Sequence, residues 1–218
     1  MAKSIPKKNY FIKKYQVFTD TLNELAESGT NVYFVQGNHE YCMEEITLKG
    51  VEILQADGTT LEVETGGKRL RLGISHGDLL NAPESYLKFK ALVNSKIFKF
   101  VFTMIPSKWS DNFALKLASQ SRKKDKYKTL PHDEIIAAAF KRARRESEDI
   151  HLFGHFHYPY QAVFEGGASR EVKVICVPSW DLPNALMLKD GRFTRLNLRA
   201  SEIREADVNF KKFDPRLI

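Results

Sequence analysis

Three short stretches in this chain that read as strands each lead into a glycine and a histidine. Residues 32–35 (Val-Tyr-Phe-Val) run into Gly37-Asn38-His39-Glu40, residues 70–74 into Ser75-His76-Gly77-Asp78, and residues 150–153 into Gly154-His155-Phe156-His157. Short β-prone runs of this kind suit strands of a sheet buried under other layers. Open α/β sheets gather ligands at the carboxyl ends of their strands. A chain that brings imidazoles, an amide and carboxylates to several such ends is thereby constrained to an α/β fold with its chemistry at those ends.

The rest of the pattern fits the same class. Val17, Phe18, Leu22, Leu25 and Ala26 fall at helical spacing and Gly29 follows as a stop, which predicts an amphipathic helix over 15–28. A strand is expected at 51–54, and the alternation of 61–64, the Gly66-Gly67 turn and the return at 70–74 read as a β-hairpin. Further strands are expected at 161–164, 172–177, 185–188 and 193–198, with Gly166-Gly167 and Asp190-Gly191 as turns, while the charged tail 202–218 carries no motif.

Between the second and third histidine motifs the chain turns helical. Phe89, Leu92, Val93, Ile97, Phe100, Val101 and Met104 make one apolar face, and Phe98 and Phe102 add bulk on the other side before Pro106 ends the segment. A helix over 111–121, a basic loop over 122–128 and a third helix over 133–148, read as scaffold, follow. From Glu84 to Arg145 there are 15 Lys/Arg against 5 Asp/Glu, which leaves 19 against 22 for the remainder; the net charge of +7 therefore belongs to this one segment. Phe on two sides of a helix with Lys88, Lys90, Lys96 and Lys99 alongside suits a greasy ligand or an anionic membrane surface.

The two cysteines, Cys42 and Cys176, stand apart among apolar neighbours, so a disulfide scaffold is not expected and a reducing, cytoplasmic setting is. No apolar stretch approaches the roughly 18 residues of a membrane span. Asn38 offers an amide oxygen, and His76 and His155 offer imidazole nitrogens, a mixed set suited to manganese, iron or zinc. His39, next to Asn38, is left to meet a phosphate oxygen or to donate a proton to a leaving group. His132 and His151 read as structural.

Gly-Asn-His-Glu at 37–40, His-Gly-Asp at 76–78 and Gly-His-Phe-His at 154–157, in that order, resemble the last motifs of the calcineurin-like metallophosphoesterases. The resemblance covers about residues 15–198 and implies an α/β/β/α sandwich, N-terminally incomplete, with an inserted helical lid. It divides the chain into a first core part at 1–82, a lid at 83–148, and a second core part with the tail at 149–218. It implies a dinuclear centre, manganese above zinc or iron, with Asn38, His76 and His155 on the second ion and His157 on the first. His39 takes the catalytic role.

The lid is similar to that of the branch that splits the pyrophosphate of UDP-2,3-diacylglucosamine into lipid X and UMP in lipid A synthesis. That likeness puts Glu84, Ser119, Lys123 and Lys126 at the substrate, although the usual residues at 84 and 123 are Asp and Asn. It also implies a cytoplasmic protein peripheral on the inner face of the inner membrane, with a nucleotide-linked glycolipid as partner; nucleic acid is not the expected partner. His39 departs from the arginine often found in that branch, which keeps another nucleotide or phosphodiester open as substrate. The family also opens with strands ending in D-x-H and G-D. The one D-x-H, Asp149-Ile150-His151, falls after the second histidine motif and the only Gly-Asp pair is Gly77-Asp78, so neither opening motif precedes Gly37 and a truncated form lacking two core strands is expected, with a noncatalytic lipid-binding remnant as the alternative.

Overall fold

The computed structural model describes residues 13–38, 48–104, 132–156, 161–166, 170–179, 183–198 and 203–213. The chain forms two compact units, one comprising Met1–Gln55 and Ala82–Asp125, the other Ala56–Asn81 and Lys126–Ile218.

In the first unit, helix α1 (Gln16–Glu27) precedes strands β1 (Val32–Val35) and β2 (Val51–Leu54), which pair in parallel with Val32 opposite Val51. Phe18 of α1 meets Phe34 of β1 edge-on, with ring centroids 6.2 Å apart. The same unit holds α2 (Glu84–Val93) and α3 (Lys96–Met104). Of α2 only Val93 is fully buried, while Leu87, Phe89 and Leu92 on α2 and Ile97, Phe100, Val101 and Met104 on α3 are exposed. Among the described residues no helix is long and apolar enough to cross a membrane.

The second unit is layered. Strands β3 (Thr59–Thr65), β4 (Lys68–Ser75), β5 (Ile150–Phe153), β6 (Gln161–Glu165), β7 (Val172–Cys176) and β11 (Lys211–Lys212) form one sheet in the order β11-β6-β7-β5-β4-β3. At its centre β4, β5 and β7 run parallel, and β5 and β7 are buried at nearly every position, as suits apolar runs broken only by His151 and Lys173. The β3–β4 hairpin turns through Gly66 and Gly67, both at positive φ (56° and 69°), the backbone that a two-residue turn of the primed type demands. A second sheet is made of β8 (Asn184–Lys189), β9 (Arg192–Asn197) and β10 (Arg204–Asp207) in the order β10-β9-β8.

Helix α4 (His132–Arg145) covers one face of the large sheet. Ile135, Ile136, Ala139, Phe140 and Ala143 form its apolar stripe and pack with Phe153, Val172, Val174 and Cys176. On the other face Ile150, Ala162 and Ile175, with Leu70, Leu72 and Leu152, meet Phe193, Leu186 and Leu188 of the small sheet. Helix, sheet and sheet are consecutive layers of the expected α/β/β/α sandwich. Burying side chains such as Phe140 and Ile135 is worth about 1.5–3 kcal/mol each.

The end of α4 departs from the expected 148. The helix stops at Arg145, Ser147 takes a left-handed backbone (φ 56°), and the amides of Ser147 and Glu148 donate to the carbonyls of Arg144 (3.1 Å) and Ala143 (2.8 Å). This is a Schellman turn without its usual glycine. Arg71 and Arg170 donate to the carbonyls left over: Arg71 Nε to Ser147 O (2.9 Å) and Nη2 to Glu146 O (2.9 Å), Arg170 Nη2 to Ser147 O (2.9 Å). The turn drives Glu148 inward, where it is fully buried.

Candidate functional site

Two of the histidine motifs converge at neighbouring strand ends of the large sheet. β4 ends at Ser75 and β5 at Phe153, which face each other in the parallel register. Just beyond, the His76 amide donates to Ala56 O (3.1 Å), and the His76 carbonyl accepts from the Gly154 amide (3.0 Å). The close approach rests on Gly77: at φ 103° it occupies backbone that other residues avoid, and a Cβ there would lie 2.8 Å from the Gly154 carbonyl oxygen. In the following loop φ is positive at His155 (70°) and not at Gly154, a conformation costing a non-glycine residue of order 1 kcal/mol.

That backbone sends neighbouring side chains opposite ways. Phe156 enters the core and stands edge-on to Phe153 at 6.1 Å. His155 stays part-buried, edge-on to Phe156 (5.1 Å) and to His76 (5.1 Å), with its Nδ1 3.2 Å from His76 Nε2. At that separation one nitrogen donates its proton to the other's lone pair, or both lone pairs point at a shared cation. Two imidazoles on one tetrahedral ion at about 2.0–2.1 Å would hold their nitrogens roughly 3.3 Å apart. The pair therefore fits a borderline divalent ion in both donor type and spacing.

The other expected residues are distributed as follows. Asn38 follows β1 in the first unit, part-buried beyond Gln36, whose amide donates to Leu54 O (2.9 Å). Glu84 opens α2 and is exposed, paired with Lys88 one turn on (2.8 Å). Asp78 is buried beside the His76 loop. His39, Ser119, Lys123, Lys126 and His157 lie outside the described residues. Among the described residues no group of three or more His, Cys, Asp or Glu gathers to hold an ion.

A polar cluster that sequence reading passed over lies directly behind the pair. Glu148 Oε1 accepts from the Thr60 hydroxyl (2.8 Å), Glu148 Oε2 lies 2.7 Å from His151 Nδ1, and His151 Nε2 lies 3.1 Å from Ser75 Oγ. Both Glu148 and His151 are fully buried. Burial pushes the Glu148 carboxyl up, but the hydrogen bond and charge of His151, the Thr60 hydroxyl and the Arg142 guanidinium outweigh it and hold the carboxyl below its ordinary value. The one sequence signal of this cluster was Gly73 inside a strand, paired with His151: a Cβ there would overlap the Glu148 carboxylate.

No family model matches the chain. The UDP-2,3-diacylglucosamine hydrolase of Aeromonas hydrophila subsp. hydrophila is 26 % identical over 159 residues, which is 70 % of this chain and 64 % of that protein. The protein of the same name from Porphyromonas gingivalis is 24 % identical over 202 residues, 85 % of this chain and 74 % of its own. The chain thus spans less than two thirds of the length of the Aeromonas relative. Among solved structures, wild-type Vps29 complexed with zinc from Entamoeba histolytica superposes over 88 % of both chains, at 13 % identity and a TM-score of 0.35, too loose a fit to carry weight. By its motifs and its curated relatives, the chain resembles the calcineurin-like metallophosphoesterases and, among them, the UDP-2,3-diacylglucosamine hydrolases.

Proposed function

We propose that this chain carries part of the centre of a metal-dependent phosphohydrolase that cleaves the pyrophosphate of UDP-2,3-diacylglucosamine, releasing lipid X and UMP. The observation that supports this most is the His76–His155 pair, set by adjacent parallel strands with facing ring nitrogens 3.2 Å apart. Asn38, His76 and His155 would hold one divalent ion and His157 would contribute to a second, manganese being the first choice and zinc or iron the others. Such an ion, when bound, supplies a hydroxide at neutral pH and offsets charge developing at phosphorus.

The remaining steps belong to side chains. His39 donates a proton to the leaving oxygen or a hydrogen bond to a phosphoryl oxygen. Lys123 and Lys126 offset the phosphate charge, and Glu84 and Ser119 bond the sugar nucleotide. The segment 83–148 acts as the lid. Its exposed Leu87, Phe89, Leu92, Ile97 and Phe100 supply apolar surface for acyl chains, and Lys88, Lys90 and Lys96 supply charge for anionic headgroups on the inner face of the membrane.

The test is a calorimetric titration of the 218-residue chain with Mn2+, followed by 31P NMR of UDP-2,3-diacylglucosamine incubated with it. Binding of Mn2+ that weakens at least about 100-fold in His76→Ala and His155→Ala, together with UMP release, supports the reading. Absence of Mn2+ binding sinks it. Equal cleavage of a UDP-sugar without acyl groups would instead favour another nucleotide substrate, and binding to acylated substrate without turnover would favour a noncatalytic lipid-binding role.

A further inference from the structure

We propose that the buried chain Thr60–Glu148–His151–Ser75 is a positioning device that holds the His76 ring against His155, and so sets how tightly the pair takes up a metal ion. This rests on the metal reading above only for its second half; the orientation of the rings stands by itself.

The direction of the hydrogen bonds follows from the donor inventory. An ionised carboxylate only accepts, so Glu148 takes a proton from the Thr60 hydroxyl at one oxygen (2.8 Å) and from His151 Nδ1 at the other (2.7 Å). The other ring nitrogen of His151, Nε2, shares a hydrogen bond with the Ser75 hydroxyl across 3.1 Å. The Ser75 side chain is thereby fixed, and Ser75 is the residue directly before His76. His76 is tied at its amide by Ala56, at its carbonyl by Gly154 and through its predecessor's side chain by His151. Because His151 belongs to β5, the device crosslinks the strands that carry the two rings.

The cluster is not what stability alone calls for. A buried ion pair contributes no more than well-packed apolar side chains of the same volume. Here it also demands a glycine within β4, where alanine would be better by roughly 0.5–1 kcal/mol. The glycine stands three residues before His76, on the strand that leads into it.

The experiment compares wild type with Ser75→Ala and Ser75→Thr in the full chain labelled with 15N-histidine. Long-range 1H–15N spectra of the metal-free protein read the two rings, and calorimetry reads Mn2+ affinity. Wild type should show one protonated and one unprotonated nitrogen locked across the His76–His155 contact. Ser75→Ala should average these toward free imidazole values and weaken Mn2+ binding about 10- to 100-fold with the melting temperature nearly unchanged; Ser75→Thr, which keeps the hydroxyl, should restore both. If Ser75→Ala does not fold, the near-isosteric Ser75→Cys takes its place with the same expected readings. An unaltered ring spectrum together with Mn2+ affinity within twofold of wild type overturns the proposal. If wild type itself binds no Mn2+, the functional reading fails, and the ring spectra alone decide this one.

Discussion

Gly73→Ala is the sharpest probe of how the site is supported. The new methyl would occupy the space of the Glu148 carboxylate, with the strand on one side and the fully buried His151 on the other. The carboxylate must move, and its bonds to His151 (2.7 Å) and Thr60 (2.8 Å) go with it. Breaking a buried charged pair without removing both partners costs about 3–5 kcal/mol. Replacing glycine returns up to about 1 kcal/mol by restricting the unfolded chain. The net loss is about 2–4 kcal/mol, which in a protein of this size lowers the melting temperature by roughly 5–15 °C. Circular dichroism at 222 nm on heating measures it. A second background isolates the cause: in Glu148→Ala the space is vacant, so adding Gly73→Ala should cost little, leaving a coupling energy of about 2 kcal/mol in the double-mutant cycle. A Gly73→Ala shift below about 2 °C, or an equal shift in both backgrounds, would refute the reasoning.

Three other outcomes are expected. The Glu148 carboxyl has a depressed pKa in the folded state, so its contribution to stability is complete above the unfolded pKa and is lost as pH falls through the folded one; urea midpoints of wild type should drop across that acid range, and Glu148→Gln should flatten the drop. Gly77→Ala forces a side chain onto left-handed backbone and to 2.8 Å from Gly154 O, which should cost about 1–3 kcal/mol and weaken Mn2+ binding, read by denaturation and calorimetry. Burial pushes the Cys176 thiol up to about 12, so peptide mapping should find it unlabelled by iodoacetamide at pH 8 until denaturant is added.

Much of the fold was legible because its strands advertise themselves. β5 and β7 are buried on both faces and read as apolar runs broken only by His151 and Lys173, and the turns at Gly66-Gly67 and Asp190-Gly191 carry the residues that positive φ calls for. β10 was not legible. Arg204-Glu205-Ala206-Asp207 is polar and exposed throughout, and it is a strand only because it pairs with β9 from Thr194 to Asn197. No side-chain periodicity marks an edge strand held by backbone bonds alone. The end of α4 failed for a related reason: the left-handed position falls on Ser147, so the helical count runs on to Glu148 as if it were one more solvated turn.

That misreading hid the support of the candidate site. Glu148 counted as a surface carboxylate and His151 as a strand histidine each look inert, and only the turn at Ser147 brings them to 2.7 Å. The rings at 76 and 155 were legible because each stands next to a glycine just past a strand. What orients them was not, because it depends on a parallel register that sets Gly73 opposite His151 and Ser75 opposite Phe153. A one-residue slip of β4 would bring a side chain against Glu148 and break the bond from Ser75 to His151. The same register thus fixes the layers of the sheet, the room for a buried carboxylate and the 3.2 Å contact between the two imidazoles. A substitution that shifts β4 is therefore expected to disturb the ring pair and the stability of the sheet together, whereas loss of the Ser75 hydroxyl should disturb the ring pair alone.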